Sequence, residues 1–216
     1  MKPGIHSIPM AEYLALDALS ASRCNTLLQY SPYHAKYERD HPQDDATSES
    51  DMGTAIHDVL LEGRDRIVSI DAPDWRTKAA KEAREAARAS GSIPMLAHKV
   101  ARVEAAVAAV YEFISESDIF GVFASGKPEL TLIWREGDVL CKARPDWLTA
   151  DHGIMLHLKT VTGSAGPLSF PRVVDSMGYD TTLMFYERGL RTFPNIRSCR
   201  SVILAVEQEA PHGCAL

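Results

Sequence analysis

Ala143-Arg144-Pro145-Asp146-Trp147, followed eleven residues after the aspartate by His157-Leu158-Lys159-Thr160, is the segment from which the rest of the chain is read. Val139–Arg144 is rich in strand formers and ends at a proline, which has no N–H to continue a ladder. Asp151-His152-Gly153 is a turn signal, and Ile154–Lys159 is again strand-like. A carboxylate and an amine therefore meet at the end of a hairpin, where an oxygen-liganded cation and an activated water can sit.

Working outward, Glu129–Trp134 reads as a strand before this pair, with Glu136-Gly137-Asp138 as its turn, so the three segments predict an antiparallel meander. A helix over about residues 170–190 follows, and then a buried-looking strand, Ser201–Glu207. The N-terminal half is helical in pattern. Residues 10–38 form two pieces, with Ser20-Ala21-Ser22 as a cap and Pro32 restarting a helix after Ser31. Residues 39–50 read as a polar loop, and Asp51–Glu62 as a helix stopped by Gly63. Thr77–Ser90 predicts an exposed helix. Pro94–Ser117 predicts another, with Leu96, Val100, Val103, Val107, Val110 and Ile114 on one face. Helices followed by β-β-β-α-β give an α/β fold with helices packed on a mixed sheet. One domain spanning 1–216 is expected, with a mainly helical part (1–118) and a β-meander, helix and late strand (127–216).

Composition is that of an ordinary globular protein: 216 residues, 45% hydrophobic, 24% charged, net charge −6. No apolar run approaches the roughly 20 residues needed to cross a bilayer, and the N-terminus lacks a signal-peptide pattern, so no membrane partner and a cytoplasmic location are expected. Cys24, Cys141, Cys199 and Cys214 are scattered without a C-x-x-C pair, which argues against a zinc site or a disulfide framework. The acidic balance disfavours a broad nucleic-acid coat but leaves room for a local basic channel.

Three further features carry candidate chemistry. Glu129, at the start of its strand, can join Asp146 around a hard cation, with Lys159 serving the water or the phosphate. The plain alternative is a pair of solvated strand-end acids with a stray lysine. Gly53-Thr54-Ala55-Ile56-His57 places a glycine one helical turn before a histidine, so another element can approach closely there. Tyr179, Thr182 and Tyr186 fall on one helical stripe, either at a core boundary or lining a cleft.

Together, in this order, these residues resemble the PD-(D/E)xK nuclease superfamily, and more narrowly its RecE-type (exonuclease eight) phage and prophage exonucleases. The resemblance runs from Ser20-Ala21-Ser22 and Ser31-Pro32 through Gly53-x-x-x-His57, Glu129, Arg144-Pro145-Asp146-Trp147 and Leu158-Lys159-Thr160. It continues over the Tyr179–Tyr186 helix and closes at Val206-Glu207-Gln208-Glu209-Ala210-Pro211. It implies a restriction-endonuclease-like core and a Mg²⁺- or Mn²⁺-dependent deoxyribonuclease that degrades linear duplex DNA from an end and feeds recombination. Asp146, Glu129 and Lys159 would be catalytic; His57, Asp146 and His157 would hold metal. Arg144, Thr160, Tyr179, Thr182 and Tyr186 would face DNA. The implied partners are double-stranded DNA ends and a single-strand annealing protein; ring-shaped homo-oligomers occur among such exonucleases, and no residue here demonstrates one.

Two positions depart from the pattern. His157 stands where the (D/E)xK acid belongs, and a neutral imidazole suits Mg²⁺ poorly. Thr182 stands where the helix motif has a glutamine. The expectation is therefore a nuclease with shifted metal preference or, alternatively, an impaired member that binds DNA or a protein without cutting. Relatives of this type usually continue past the late strand, so the stop at Leu216 is expected to reflect either a piece cut from a longer chain or a truncated gene.

Overall fold

The computed structural model describes residues 1–41, 48–63, 66–196 and 198–216, with the backbone course alone for 48–50. The described residues form an α/β fold in two compact units whose segments interleave along the chain. One unit comprises Met1–Asp44, Val122–His157 and Phe170–Val202; the other comprises Asp45–Gly121, Leu158–Ser169 and Ile203–Leu216. No helix among the described residues is long and apolar enough to cross a membrane.

The first unit opens with β1 (Gly4–His6) and three short helices: α1 (Met10–Ala15), α2 (Ala21–Gln29) and α3 (Pro32–Asp40). Caps set the boundaries as expected. The Ser20 side chain accepts from Arg23 N–H at 3.4 Å and the Ser31 side chain from His34 N–H at 3.4 Å, with Pro32 in the first turn. The strands β2 (Ile67–Ile70) and β3 (Ile93–Leu96) belong to the second unit and are described below. Here β4 (Lys127–Pro128), β5 (Thr131–Glu136), β6 (Val139–Ala143), β7 (Trp147–Leu148) and the first half of β8 (Ile154–Val161) follow.

The expected three-stranded meander is replaced by two sheets. β5 and β6 form the hairpin around Gly137, and β1 completes a sheet of order β1-β5-β6. Beyond the Leu132↔Ala143 pair, Pro145 ends that ladder, and the chain crosses to a different sheet as β7. Trp147 anchors the crossing by donating its Nε1–H to Val122 O at 3.0 Å. β7 then pairs antiparallel with β4 and β8. Leu132, Trp134, Cys141, Ala143, Leu148, Met155, Leu190 and Ile196 make one apolar cluster. Each fully buried large side chain there contributes roughly 1.5–3 kcal/mol.

The predicted single helix after β8 is two: α7 (Phe170–Ser176) and α8 (Tyr179–Leu190). The break is at Gly178, whose φ of 62° is left-handed. A Cβ there would also meet the Asn25 side chain at 2.7 Å, while Asn25 Nδ2–H donates to Gly178 O at 3.0 Å. Strain and overlap act together, so Gly178→Ala is expected to lower stability by about 1–3 kcal/mol, read from urea unfolding. An unchanged midpoint would show that α7 and α8 can realign at no cost.

The second unit holds α4 (Ser48–His57), which passes into a π-helical turn, Asp58–Glu62. Gly63, at φ 60°, closes it by donating its N–H to Asp58 O. The polar loop expected at 39–50 is thus trimmed at both ends by α3 and α4; residues 42–47 lie outside the described residues. α5 (Lys78–Ala89) is capped by Thr77, which accepts from Ala80 N–H at 3.2 Å. The Pro94 start predicted for the next helix is corrected. Ile93–Leu96 is the strand β3, parallel to β2, and α6 (Ala97–Ser115) begins only after it. All four β3 side chains are buried, and a proline biases its predecessor away from helix, so burial on a strand outweighs the helical period there. Val103, Val107, Val110 and Ile114 do form the buried face of α6.

β9 (Arg200–Glu207) runs alongside β8. Arg200 N–H donates to Gly153 O at 2.8 Å and Gln208 N–H to Val161 O at 2.8 Å, so the two chains advance in the same direction. β10 (Cys214–Ala215) pairs antiparallel with β9, giving a mixed sheet of order β10-β9-β8-β7-β4.

Candidate active site

Glu129 and Asp146, both in the first unit, come together through the backbone: Glu129 N–H donates to Asp146 O at 3.2 Å. Glu129 lies just before β5, not within it, and adopts φ 55°. A left-handed conformation costs a non-glycine residue of order 1 kcal/mol, and it is held here because its N–H is engaged at the β6–β7 crossing. The same Pro145 that ends one ladder therefore presents Asp146 beside the turn carrying Glu129.

Arg144 governs the Glu129 carboxylate. Its Nε–H donates to Glu129 Oε2, and its Nη1–H groups donate to Ile8 O at 2.9 Å and Thr131 Oγ1 at 3.1 Å. The guanidinium lies over the Tyr13 ring, 5.6 Å from its centroid. Lys142 shares that ring at 4.8 Å and donates to Tyr13 O at 2.9 Å and Leu16 O at 2.7 Å. Three protein acceptors thus hold Arg144, which had been expected to face DNA. Tyr13, which sequence reasoning missed, is its shelf. An aromatic residue in a short N-terminal helix carries no signal for that role until β6 is placed beneath it.

Tyr186 closes the site from α8. Its oxygen accepts a hydrogen bond from Arg144 N–H, and burial lifts its phenol well above the ordinary value, followed by the negative influence of Tyr13, Asp146 and, further down, Glu129. Tyr179 is raised as well, by burial first and then by Asp146. Burial is the first cause of both shifts and the nearby acids add to it, so these rings mark a poorly hydrated pocket edge with negative charge beside it. Thr182 is turned away from such a role: its Oγ1–H donates to Gly178 O at 3.0 Å and accepts from Asn25 Nδ2 at 3.5 Å.

His157 is 3% exposed, and its ring packs 5.0 Å from that of Tyr186. The β7–β8 register pairs Trp147 with Leu156 and Leu148 with Met155, so one more step sets Asp146 opposite His157 on a shared face. Two residues further along β8, Lys159 follows on the same side of that strand.

His57, Thr160 and Lys159 lie in the second unit. His57 is the last residue of α4. Gly53, one turn earlier, is crossed closely by Thr160: a Cβ on Gly53 would lie 2.7 Å from Thr160 Oγ1. That hydroxyl accepts from Gln208 Nε2 at 3.2 Å, which gives Gln208, quoted from the late motif but assigned no role, a positioning function. His57, Asp58 and Glu62 can bring ligand atoms within 4.8 Å of one another. Asp58, however, is 2% exposed and gives both oxygens to Arg66 at 2.5 and 2.8 Å, so its charge is already spent.

Tyr13 supplies a pH test of this packing. Burial, with Arg144 pulling down and Glu129 pushing up, raises its phenol to about 12. A folded value above the unfolded one means stability is intact below about pH 10 and lost as pH rises through about 12. The expected loss from Tyr13 is about 2–3 kcal/mol, and Tyr13→Phe should flatten that part of a urea-midpoint profile. Lys142, lowered by burial, acts in the opposite sense as pH rises towards its ordinary value of 10.5, so its effect is complete early in this window.

The family described as "PDDEXK-like domain of unknown function (DUF3799)" matches residues 23–216. The chain belongs to that family, and so to the PD-(D/E)xK nuclease superfamily. A solved structure of a candidate exonuclease from Eubacterium rectale aligns with a TM-score of 0.63 at 13% identity, over 97% of this chain and 77% of that one. At that identity the likeness shows a common fold. No curated protein matches the sequence. The protein is thus a nuclease-like domain of a class that generally depends on divalent metal.

Proposed function

We propose that this protein is a Mg²⁺- or Mn²⁺-dependent deoxyribonuclease that hydrolyses linear double-stranded DNA from its ends in a recombination-associated, RecE-like role. The observation that carries the reading is the joining of Glu129 to Asp146 by a backbone hydrogen bond of 3.2 Å, which sets two carboxylate-bearing residues next to each other. Carboxylate oxygens are the donors that Mg²⁺ and Mn²⁺ prefer, and the site residues present fit such an ion.

In this proposal Asp146, Glu129 and His57 would hold the cation, with His157 as a softer donor. When bound, the cation supplies Lewis-acid stabilisation of charge developing on the phosphate. Lys159 orients or deprotonates the attacking water. Arg144 holds Glu129 in place, and Tyr186, bonded to the Arg144 backbone, keeps the β6–β7 crossing fixed. Tyr179 and Thr160 remain the proposed contacts to the DNA backbone. Duplex ends, an annealing protein, a homo-oligomer and a cytoplasmic setting complete the proposal.

The test is incubation of linear and covalently closed circular duplex DNA with Mg²⁺, Mn²⁺ or EDTA. Loss of the linear form alone, in either metal, is expected; degradation of the closed circle at the same rate would remove the end-dependent reading. A second reading, DNA or protein binding without cleavage, is favoured by one observation: a buried imidazole occupies the position of an anionic ligand.

A further inference from the structure

Helix α3 carries a row of aromatic rings that the proposed cleavage chemistry leaves unused. Tyr30, Tyr33 and Tyr37 are 65%, 77% and 53% exposed, and His34 and His41 are exposed beside them. Tyr33, His34 and Tyr37 fall within an arc of about 100° on α3. Tyr30 and His41, just outside either end, join the row through their rings. Tyr30 lies 5.4 Å from His34, and Tyr37 stacks on His41 at 4.3 Å with 19° between planes. Tyr33 meets His34 edge-on at 6.3 Å.

We propose that this row is a stacking platform for single-stranded DNA. The occupant follows from what the face contains. Apart from Pro32 and the buried Ala35, α3 has no aliphatic residue, so it offers none of the Leu, Ile or Met anchors with which a helix grips a protein groove. It offers π-faces, on which any base can stack with about 1–3 kcal/mol each. Charge on α3 is balanced, two basic against two acidic side chains, so the bases and not the phosphates would carry the contact. Lys36 and Arg39 flank the row and share Asp40, whose carboxyl is held low by Arg39 first and then Lys36. Glu38 is turned to α2, where Thr26 Oγ1–H donates to it at 2.8 Å. The platform is about 15 Å long, which accommodates four or five bases at a spacing of about 3.4 Å. A strand separated from the duplex would have a seat here, on residues distinct from those assigned to cleavage.

The test is fluorescence anisotropy of a labelled ten-nucleotide oligo(dT) with the full chain in EDTA, so that binding is read without metal or turnover. The expected results are saturable binding, a weakening of at least tenfold in Tyr33→Ala/Tyr37→Ala, and retention within about twofold in Tyr33→Phe/Tyr37→Phe. A shallow salt dependence is also expected, since few phosphates are neutralised. Absence of oligo(dT) binding, equal binding by the alanine variant, or equal loss in the phenylalanine variant would each overturn the proposal. So would self-association abolished by the alanine pair without any DNA binding. Failure of cleavage leaves this measurement untouched, and failure here leaves the metal-dependent assay untouched.

Discussion

Asp146→Asn is expected to reduce metal-dependent cleavage of linear DNA by at least about 10³-fold while leaving the fold intact. A ligand oxygen that loses its charge costs several kcal/mol of transition-state stabilisation, and each 1.36 kcal/mol is a factor of about ten. The amide keeps the shape of the side chain, and the Glu129 N–H to Asp146 O bond uses the backbone, so the local geometry survives. Removing one of two neighbouring acids also relieves repulsion, so the thermal midpoint should be unchanged or slightly raised. An independent readout is spectroscopic. Asp146 helps to raise Tyr179 and Tyr186, so the phenolate absorbance of the variant should titrate at lower pH. Retained cleavage with shifted phenols would move catalysis away from this acid. Loss of cleavage with both phenols returned to their ordinary value would point to misfolding, because burial is the larger cause of their shifts.

His157→Asp carries the second large effect, because it restores the acid two residues before Lys159 at a position opposite Asp146. Without metal, a carboxylate at a site 3% exposed, facing another acid, should lower stability by about 2–4 kcal/mol. With metal the sign reverses. A third carboxylate should tighten Mg²⁺ binding at least tenfold, or about 1.4 kcal/mol, and Mg²⁺ should raise the melting temperature of the variant more than that of the native chain. If the native protein is inert and the variant cleaves, the binding-only reading is correct for the present sequence. A variant whose Mg²⁺ affinity does not rise would show that position 157 does not reach the ion at all.

Much of the fold is legible in the residues because the signals are local. Ser20, Ser31 and Thr77 cap the helices they precede, and Gly63 ends the turn it follows. Val103, Val107, Val110 and Ile114 trace the buried face of α6. Gly53 forecasts a close approach, and Thr160 makes it. The misreadings are equally instructive. Ile93–Leu96 is short and apolar, so its period cannot separate strand from helix, and only its partner β2, more than twenty residues away, decides it. Gly178 interrupts a segment that is helical on either side, and the interruption is held by Asn25 from the far end of the chain.

What the sequence by itself determined is the ordered set of chemical groups: Glu129, Arg144-Pro145-Asp146, His157 and Lys159, with an imidazole where the motif has an acid. Residue identity and spacing are enough for that, and they identify the superfamily to which the chain belongs. Only the tertiary structure decided which charges are already taken. Arg144, a candidate phosphate contact by sequence, spends its donors on Glu129, Ile8 and Thr131, and Thr182 bonds back to Gly178. Those partners lie from 4 to 136 residues away along the chain. A hydrogen bond depends on atoms within about 3 Å in space, a distance that residue spacing alone does not fix.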